Sequence, residues 1–307
     1  MPLSPLTNRE AILEFDYSEE KLIALYKNEL NMDVSGFFET NQSIGLYRCE
    51  ESGFRFFAPE SIAGDGPFYS DLVKNKHSYY TPWKWEHQNA LTFLQNRFAK
   101  NDVFRLLEIG CAEGLFLKAV RTAFPNCEIH GLEINETAIA DATKNQMEVH
   151  LGYIEDFATN HAGTFDVVLA FQVLEHIPNI RSFIDASVQT LQSGGILLYG
   201  VPNNNSYIFK EDHYHTLNLP PHHMGWWDSR SLNALKNYFP LMTLRLDEEP
   251  ADLSNLGVYF DVWLKKYLPH LRPVLYPLLR FPVKLALRVF KPKRGLTITA
   301  IFEKTNS

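Results

Sequence analysis

Residues 104–120 read FRLLEIGCAEGLFLKAV, and the fold class follows from how these seventeen residues divide. Leu106, Leu107, Glu108 and Ile109 form a short apolar run interrupted by one carboxylate, as expected of a strand buried in a parallel sheet. Gly110 ends that run. Cys111, Ala112 and Glu113 then lead to Gly114, after which Leu115, Phe116, Leu117, Ala119 and Val120 recur at helical spacing. The stretch therefore predicts a strand, a tight turn and a helix. Glycine in such a turn lets a ligand approach the backbone, and the helix N-terminus presents unpaired N–H groups.

The same plan continues outward. Strands are expected at 104–109, 128–133, 148–152, 165–170 and 195–201, with helices at 114–123, 135–145 and 180–191. Asn135 is the expected cap of the second of these helices, and Ser193-Gly194-Gly195 is expected to close the third. Strands alternating with helices predict a parallel sheet covered on both faces. A helix at 84–98 precedes the alternation. A helix at 229–238 capped by Ser229, a sixth strand at 241–246 and a last strand at 296–303 follow it.

A dinucleotide turn needs G-x-G-x-x-G, whereas this turn has Ala112 at its middle position. Glu108 and Glu113 add negative charge beside the turn, which repels a pyrophosphate and suits a cationic ligand. A nicotinamide-dependent oxidoreductase is disfavoured for both reasons. Glu133 ends the second expected strand, twenty-three positions after Gly110, where a carboxylate can accept hydrogen bonds from ribose hydroxyls.

With the E-x-G-x-x-x-G turn, these residues resemble the class I S-adenosylmethionine-dependent methyltransferases, specifically the small-molecule group that contains the UbiG-like enzymes. Three further segments carry the resemblance: Gly152-Tyr153-Ile154-Glu155-Asp156-Phe157, the strand Phe165–Ala170 followed by Phe171-Gln172-Val173-Leu174-Glu175-His176-Ile177, and Gly195–Val201 followed by Pro202-Asn203. It covers residues 85–250 and the last strand. The resemblance implies an α/β fold, a doubly wound, Rossmann-like, seven-stranded sheet, with S-adenosyl-L-methionine as cofactor. It implies that Gly110, Ala112 and Gly114 hold the methionine and ribose side, that Glu108 either pairs with the cofactor's amino group through water or fixes the turn, that Glu133 holds the ribose, that Ile154 and Glu155 border the adenine, and that Phe171 and Gln172 lie near the methyl group. Leu219–Trp226 resembles the family's histidine-bearing loop over the active site, which makes His222 and His223, with Gln172, the expected catalytic residues. A histidine there could accept a proton from a hydroxyl or an amine.

At 307 residues, with 45% hydrophobic and 21% charged residues, the composition is that of an ordinary globular protein. The net charge of −7 argues against a general nucleic-acid binder. Cys49, Cys111 and Cys127 are scattered, so no disulfide framework is expected and a reducing cytoplasm is the natural compartment. No secretory signal and no run of eighteen apolar residues are seen. No metal site is expected: Ser52 stands where a C-x-x-C knuckle would place its second thiolate, and the four histidines at 213, 215, 222 and 223 lie on a loop without a clear carboxylate partner.

The chain divides into an N-terminal region (1–83), a methyltransferase core (84–257), an insert (258–295) and the last strand (296–307). The N-terminal region is expected to hold a helix over 10–30, a hairpin over 44–59 and an aromatic segment containing Phe68, Tyr69, Tyr79, Tyr80, Trp83 and Trp85. Two readings of that segment stand: packing onto the sheet, or a lid over the acceptor. The insert carries nine basic residues against one acid, a balance of +8 that leaves −15 for the rest of the chain. Its prolines at 269, 273, 277 and 282 are expected to break it into short helices. Such a basic, apolar segment suits peripheral contact with an anionic membrane, or a helical cap that packs internally or in a homodimer. The function expected from these features is methyl transfer to a hydroxylated small molecule or sugar, including a lipid-linked one. A catalytically inactive cofactor-binding subunit that docks on a membrane or a partner protein is the competing reading.

Overall fold

The computed structural model describes residues 1–75, 83–144, 147–251, 256–290 and 294–306. The chain begins with strand β1 (Ala11–Ser18), helix α1 (Glu19–Leu30), the hairpin β2 (Ser43–Cys49) and β3 (Arg55–Ala58), and helix α2 (Gly66–Asn75). Helix α3 (Trp85–Arg97) leads into β4 (Arg105–Ile109), α4 (Leu115–Ala123), β5 (Glu128–Glu133), α5 (Glu136–Lys144) and β6 (Glu148–Leu151). Next come α6 (Ile154–Asn160), β7 (Phe165–Phe171), α7 (Ile180–Thr190), β8 (Leu191–Pro202), β9 (Gly225–Trp226), α8 (Ser229–Ala234) and β10 (Leu241–Glu248). Helices α9 (Leu256–Tyr267) and α10 (Arg272–Phe290) precede the last strand, β11 (Thr297–Lys304).

The large sheet has seven strands in the order β10-β11-β8-β7-β4-β5-β6. Strands β4 to β8 run parallel, and β11 is antiparallel to both β8 and β10. Successive residues of β4 serve opposite faces: Leu106 packs with Leu94, Phe116, Leu117 and Val120, whereas Leu107 and Ile109 pack with Phe157, Phe183 and Ile184. That two-sided burial explains the near-continuous apolar run in the sequence. The chain leaves β4 first toward β5 and β6 and later returns to the other side with β7 and β8. A crevice therefore opens beyond the carboxyl ends of β4 and β7, where strand order reverses.

A second, antiparallel sheet joins β1, β2, β3 and β9. Its core of Tyr17, Leu46, Phe57, Leu219 and Trp226 is shared between the N-terminal region and the loop after β8. The hydroxyl of Tyr26 on α1 donates to the Leu219 carbonyl at 2.8 Å. The N-terminal region thus props the histidine loop from behind.

Several local expectations change. The first part of the helix expected over 10–30 is strand β1 (8 residues), because it pairs with β2. Ser193-Gly194-Gly195 does not close α7, whose last residue is Thr190; Leu191 already belongs to β8. Helix α8 is capped by Asp228 rather than Ser229, since Asp228 accepts from the Ser231 N–H while the Ser231 hydroxyl faces the Asp228 N–H. Asn135 meets its expectation, accepting from the Ala138 N–H at 3.4 Å. The insert forms two helices rather than several short ones: α10 runs on through Pro277 and Pro282, and Pro273 sits in its first turn, where a missing N–H costs nothing. Tyr79 and Tyr80 of the aromatic segment and Lys291 and Lys293 of the insert lie outside the described residues.

Candidate active site

The turn between β4 and α4 is held from β5. The Glu133 carboxylate accepts the Ala112 N–H at 2.9 Å on one oxygen and the Ile134 and Asn135 N–H groups at 2.8 and 2.9 Å on the other. Ala112 takes φ +47°, an uncommon conformation for a residue with a Cβ, and the Glu133 bond secures it there. Gly110 has φ +71°, and a Cβ at that position would stand 2.6 Å from the Val173 Cγ2 atom. Only glycine meets both demands. Gln172, just past β7, is also left-handed at φ +55° and donates its N–H to the Gly200 carbonyl at 2.7 Å.

Beyond these turns lies a cavity of about 1600 Å³. It exceeds the roughly 300–1,000 Å³ of a typical single-ligand pocket, so it has room for a cofactor and an acceptor together. Three buried glutamates line it: Glu86 on α3, Glu108 on β4 and Glu175 after β7. Each has one carboxyl oxygen with no hydrogen-bond partner among the described residues. Burial raises the affinity of Glu86 for its proton, and burial beside Glu133 holds Glu108 well above the usual carboxylate range. Burial also lifts Glu175 to about 8. Partnerless carboxyl oxygens around one cavity are costly without a ligand and favour one that brings positive charge or donors.

Three histidines form the other wall. His176 Nδ1 donates to the His222 carbonyl at 2.7 Å, His222 Nδ1 donates to the Leu217 carbonyl at 2.7 Å, and His223 Nδ1 meets the Asn218 side-chain oxygen at 3.1 Å. The bonds to backbone carbonyls place a proton on Nδ1 of both His176 and His222. The ring centroids of the three lie 4.4 to 4.9 Å apart. Burial lowers His176 to about 4, and burial among the other imidazoles holds His223 well below the ordinary histidine range, so both rings stay neutral. The loop is latched by the Met224 N–H donating to the Glu175 carbonyl at 2.7 Å and by the Tyr69 hydroxyl donating to the His222 carbonyl at 3.2 Å.

Glu108, Gly110, Ala112, Glu133, Ile154, Glu155, Phe171, Gln172, His222 and His223 all line this cavity. Gly114 does not; it sits behind the turn, against Met147 and Ala142. Ile154 and Glu155 open helix α6, and Gly152 and Tyr153 before them also line the cavity. His215 lines the cavity, whereas His213 stacks on Phe15 outside it. Sequence reading passed over Glu86 as a site residue, placed Tyr69 in a segment that either packs on the sheet or covers the acceptor, and left Glu175 and His176 equally structural or catalytic; all four line the cavity. The signal available for Glu86 was its place between Trp85 and His87, inside an aromatic run where a surface glutamate is out of keeping.

Residues 83–247, more than half of the chain, match the family described as "Methyltransferase domain". A ubiquinone biosynthesis O-methyltransferase of Aromatoleum aromaticum is 30% identical over 113 residues, which are 34% of this chain and 47% of that protein. One from Cronobacter sakazakii is 31% identical over 108 residues, 33% of this chain and 44% of that protein. The chain thus matches less than half the length of these relatives. Among solved structures, a SAM dependent methyltransferase from Archaeoglobus fulgidus superposes with a TM-score of 0.50 at 14% identity, covering 78% of this chain and 100% of that one, which is a likeness of fold.

Proposed function

The chain belongs to the class I S-adenosyl-L-methionine-dependent methyltransferases, and from that premise we propose that it O-methylates a hydroxylated small molecule. The observation that carries the proposal is that three buried carboxyls, each with an oxygen lacking a hydrogen-bond partner among the described residues, line one cavity with room for two ligands. When bound, the cofactor supplies a methyl group already activated by a positive sulfur, so the protein's work is alignment, desolvation and proton handling. Glu108 suits a cationic group of the cofactor. Glu133 has three N–H bonds on a carboxylate with about four lone-pair sites, which leaves about one for a ribose hydroxyl. Tyr153, Ile154 and Glu155 would border the base.

On the acceptor side, Gln172, His222 and His223 would face the hydroxyl, with Tyr69 and Trp83 closing the cavity as a lid. Neutral, deeply buried imidazoles such as His223 are weak bases. A phenolic hydroxyl, ionising at about 10 as in tyrosine, is within their reach far more readily than a sugar hydroxyl. This favours an aromatic acceptor over the sugar expected from the sequence. The O-methyltransferase names of the relatives support the choice of oxygen.

The insert supports a second statement. Phe281, Leu278 and Leu285 on α10 are 72%, 67% and 64% exposed, on a helix that also carries Arg272 and Arg280. No helix among the described residues is long and apolar enough to cross a membrane. We therefore place α10 on an anionic membrane surface, in preference to a dimer contact, because basic groups flank the bare apolar side chains. An acceptor dissolved in lipid would be met there.

Calorimetric titration with S-adenosyl-L-methionine, run beside Glu133→Ala, tests the cofactor site. Micromolar binding that falls at least tenfold in the variant is expected. A catechol panel scored by mass for a single methyl gain then tests the acceptor. Tight cofactor binding with no turnover on any phenol would favour the inactive-subunit reading.

A further inference from the structure

We propose that His130, Glu148 and His150 form a zinc-binding site on the outer part of the large sheet, separate from the cavity. The placement follows from register. His130 on β5 stands directly opposite Glu148 on the parallel neighbour β6, and His150 lies two residues further along β6, so all three side chains emerge on one face. The aromatic rings of Phe165 and Phe157 pack against the two imidazoles and fix their planes, at centroid distances of 5.4 and 5.1 Å.

The three candidate ligand atoms make a nearly equilateral triangle. His130 Nδ1 is 3.5 Å from His150 Nε2 and 3.3 Å from a Glu148 oxygen, and the same oxygen is 3.6 Å from His150 Nε2. Zinc bonds nitrogen at about 2.0–2.1 Å, which puts neighbouring ligands about 3.3–3.4 Å apart in a tetrahedron and only about 2.9–3.0 Å apart in an octahedron. The observed edges fit the tetrahedral case. Two imidazoles with one carboxylate also form a donor set that zinc accepts with a water in the fourth position. Glu148, 61% exposed, leaves that position open to solvent.

The surroundings supply the support that metal-bound histidines need. On the far side of the His130 ring, Nε2 lies 3.5 Å from Glu128, and Glu128 in turn accepts from Arg105 Nε at 2.8 Å. With the ring proton on Nε2, toward that carboxylate, the Nδ1 lone pair would face the triangle. The chemistry does not depend on the methyltransferase reading. Its consequence reaches the cavity: β5 ends at Glu133 and β6 runs into Gly152–Ile154, so an ion bridging the two strands would brace the nucleoside side of the cofactor site.

Untagged protein, stripped with chelator and titrated calorimetrically with ZnCl2, should take up one equivalent that is lost in His150→Ala. Zinc should raise the melting temperature of the wild type and leave that of the variant unchanged, and Co2+ in place of zinc should give the intense visible bands of a tetrahedral ion. Should His150→Ala lose its native circular dichroism, the exposed Glu148→Gln takes its place, with an expected loss of at least tenfold in zinc affinity. No uptake by the stripped wild type would overturn the proposal and leave a histidine pair beside a surface carboxylate. Uptake undiminished in a folded variant would overturn it too, by placing the ion elsewhere, for instance at His176, His222 and His223.

Discussion

Glu175 is one of the least exposed charged residues in the chain, and burial lifts its carboxyl to about 8. Its contribution to stability is complete below the ordinary carboxylate value of 4.5, declines as pH rises and is gone once pH has passed about 8, because only the folded state holds the proton across that window. His176, lowered to about 4, acts with the opposite sign, losing stability as pH falls from about 6.5, but it is common to wild type and variant and cancels in their difference. Glu175→Gln mimics the protonated carboxyl at every pH. Denaturant melts at pH 5, 7 and 8.5 should therefore show the variant gaining on the wild type as pH rises, by on the order of 3 kcal/mol across the range. A difference that stays constant with pH would mean that the carboxyl ionises normally. At this scale Glu133 was legible, since its position after the second strand announces it. Glu108 was legible too, as the one carboxylate in the apolar run of β4, whereas Glu86 and Glu175 share a letter with surface glutamates and only their depth in the fold sets them apart.

The turn between β4 and α4 lines the cavity, and on the proposed reading it is the element that carries the cofactor. Gly110→Ala forces a Cβ to within 2.6 Å of Val173 at a φ of +71°. The substitution should cost about 1–3 kcal/mol in chemical unfolding and weaken S-adenosyl-L-methionine at least tenfold. Wild-type affinity in the variant would show that the turn does not carry the ligand. Elements of the parallel sheet were readable because burial on both faces leaves an apolar run that few other contexts produce. Strand β1 was not: its eight residues mix apolar with charged side chains, and the edge of β2 decided their conformation. Helix α10 likewise runs through two prolines that a local reading treats as ends.

For the molecule as a whole, the sequence concentrates positive charge in the insert and leaves a negative excess on the rest of the chain. Co-sedimentation with vesicles should require anionic lipid, weaken with added salt and be lost on replacing Leu278 and Phe281 together by aspartate. Equal binding to neutral vesicles, or none, would return α9 and α10 to packing against protein. The sequence by itself determined the parallel sheet, the glycine turn, the carboxylate of Glu133 beside that turn and the histidine loop as a segment near the cavity. Each of these is a local pattern: periodicity, a missing Cβ, or a charge at a fixed distance along the chain. Only the tertiary structure decided that β1, β2, β3 and β9 form one sheet behind the histidine loop, that three glutamates from separate elements line one cavity with oxygens unpartnered among the described residues, and that His130, Glu148 and His150 close a triangle. Those arrangements depend on strand register and on which buried faces meet, and such pairings between distant residues leave no mark on the spacing of side chains along the chain.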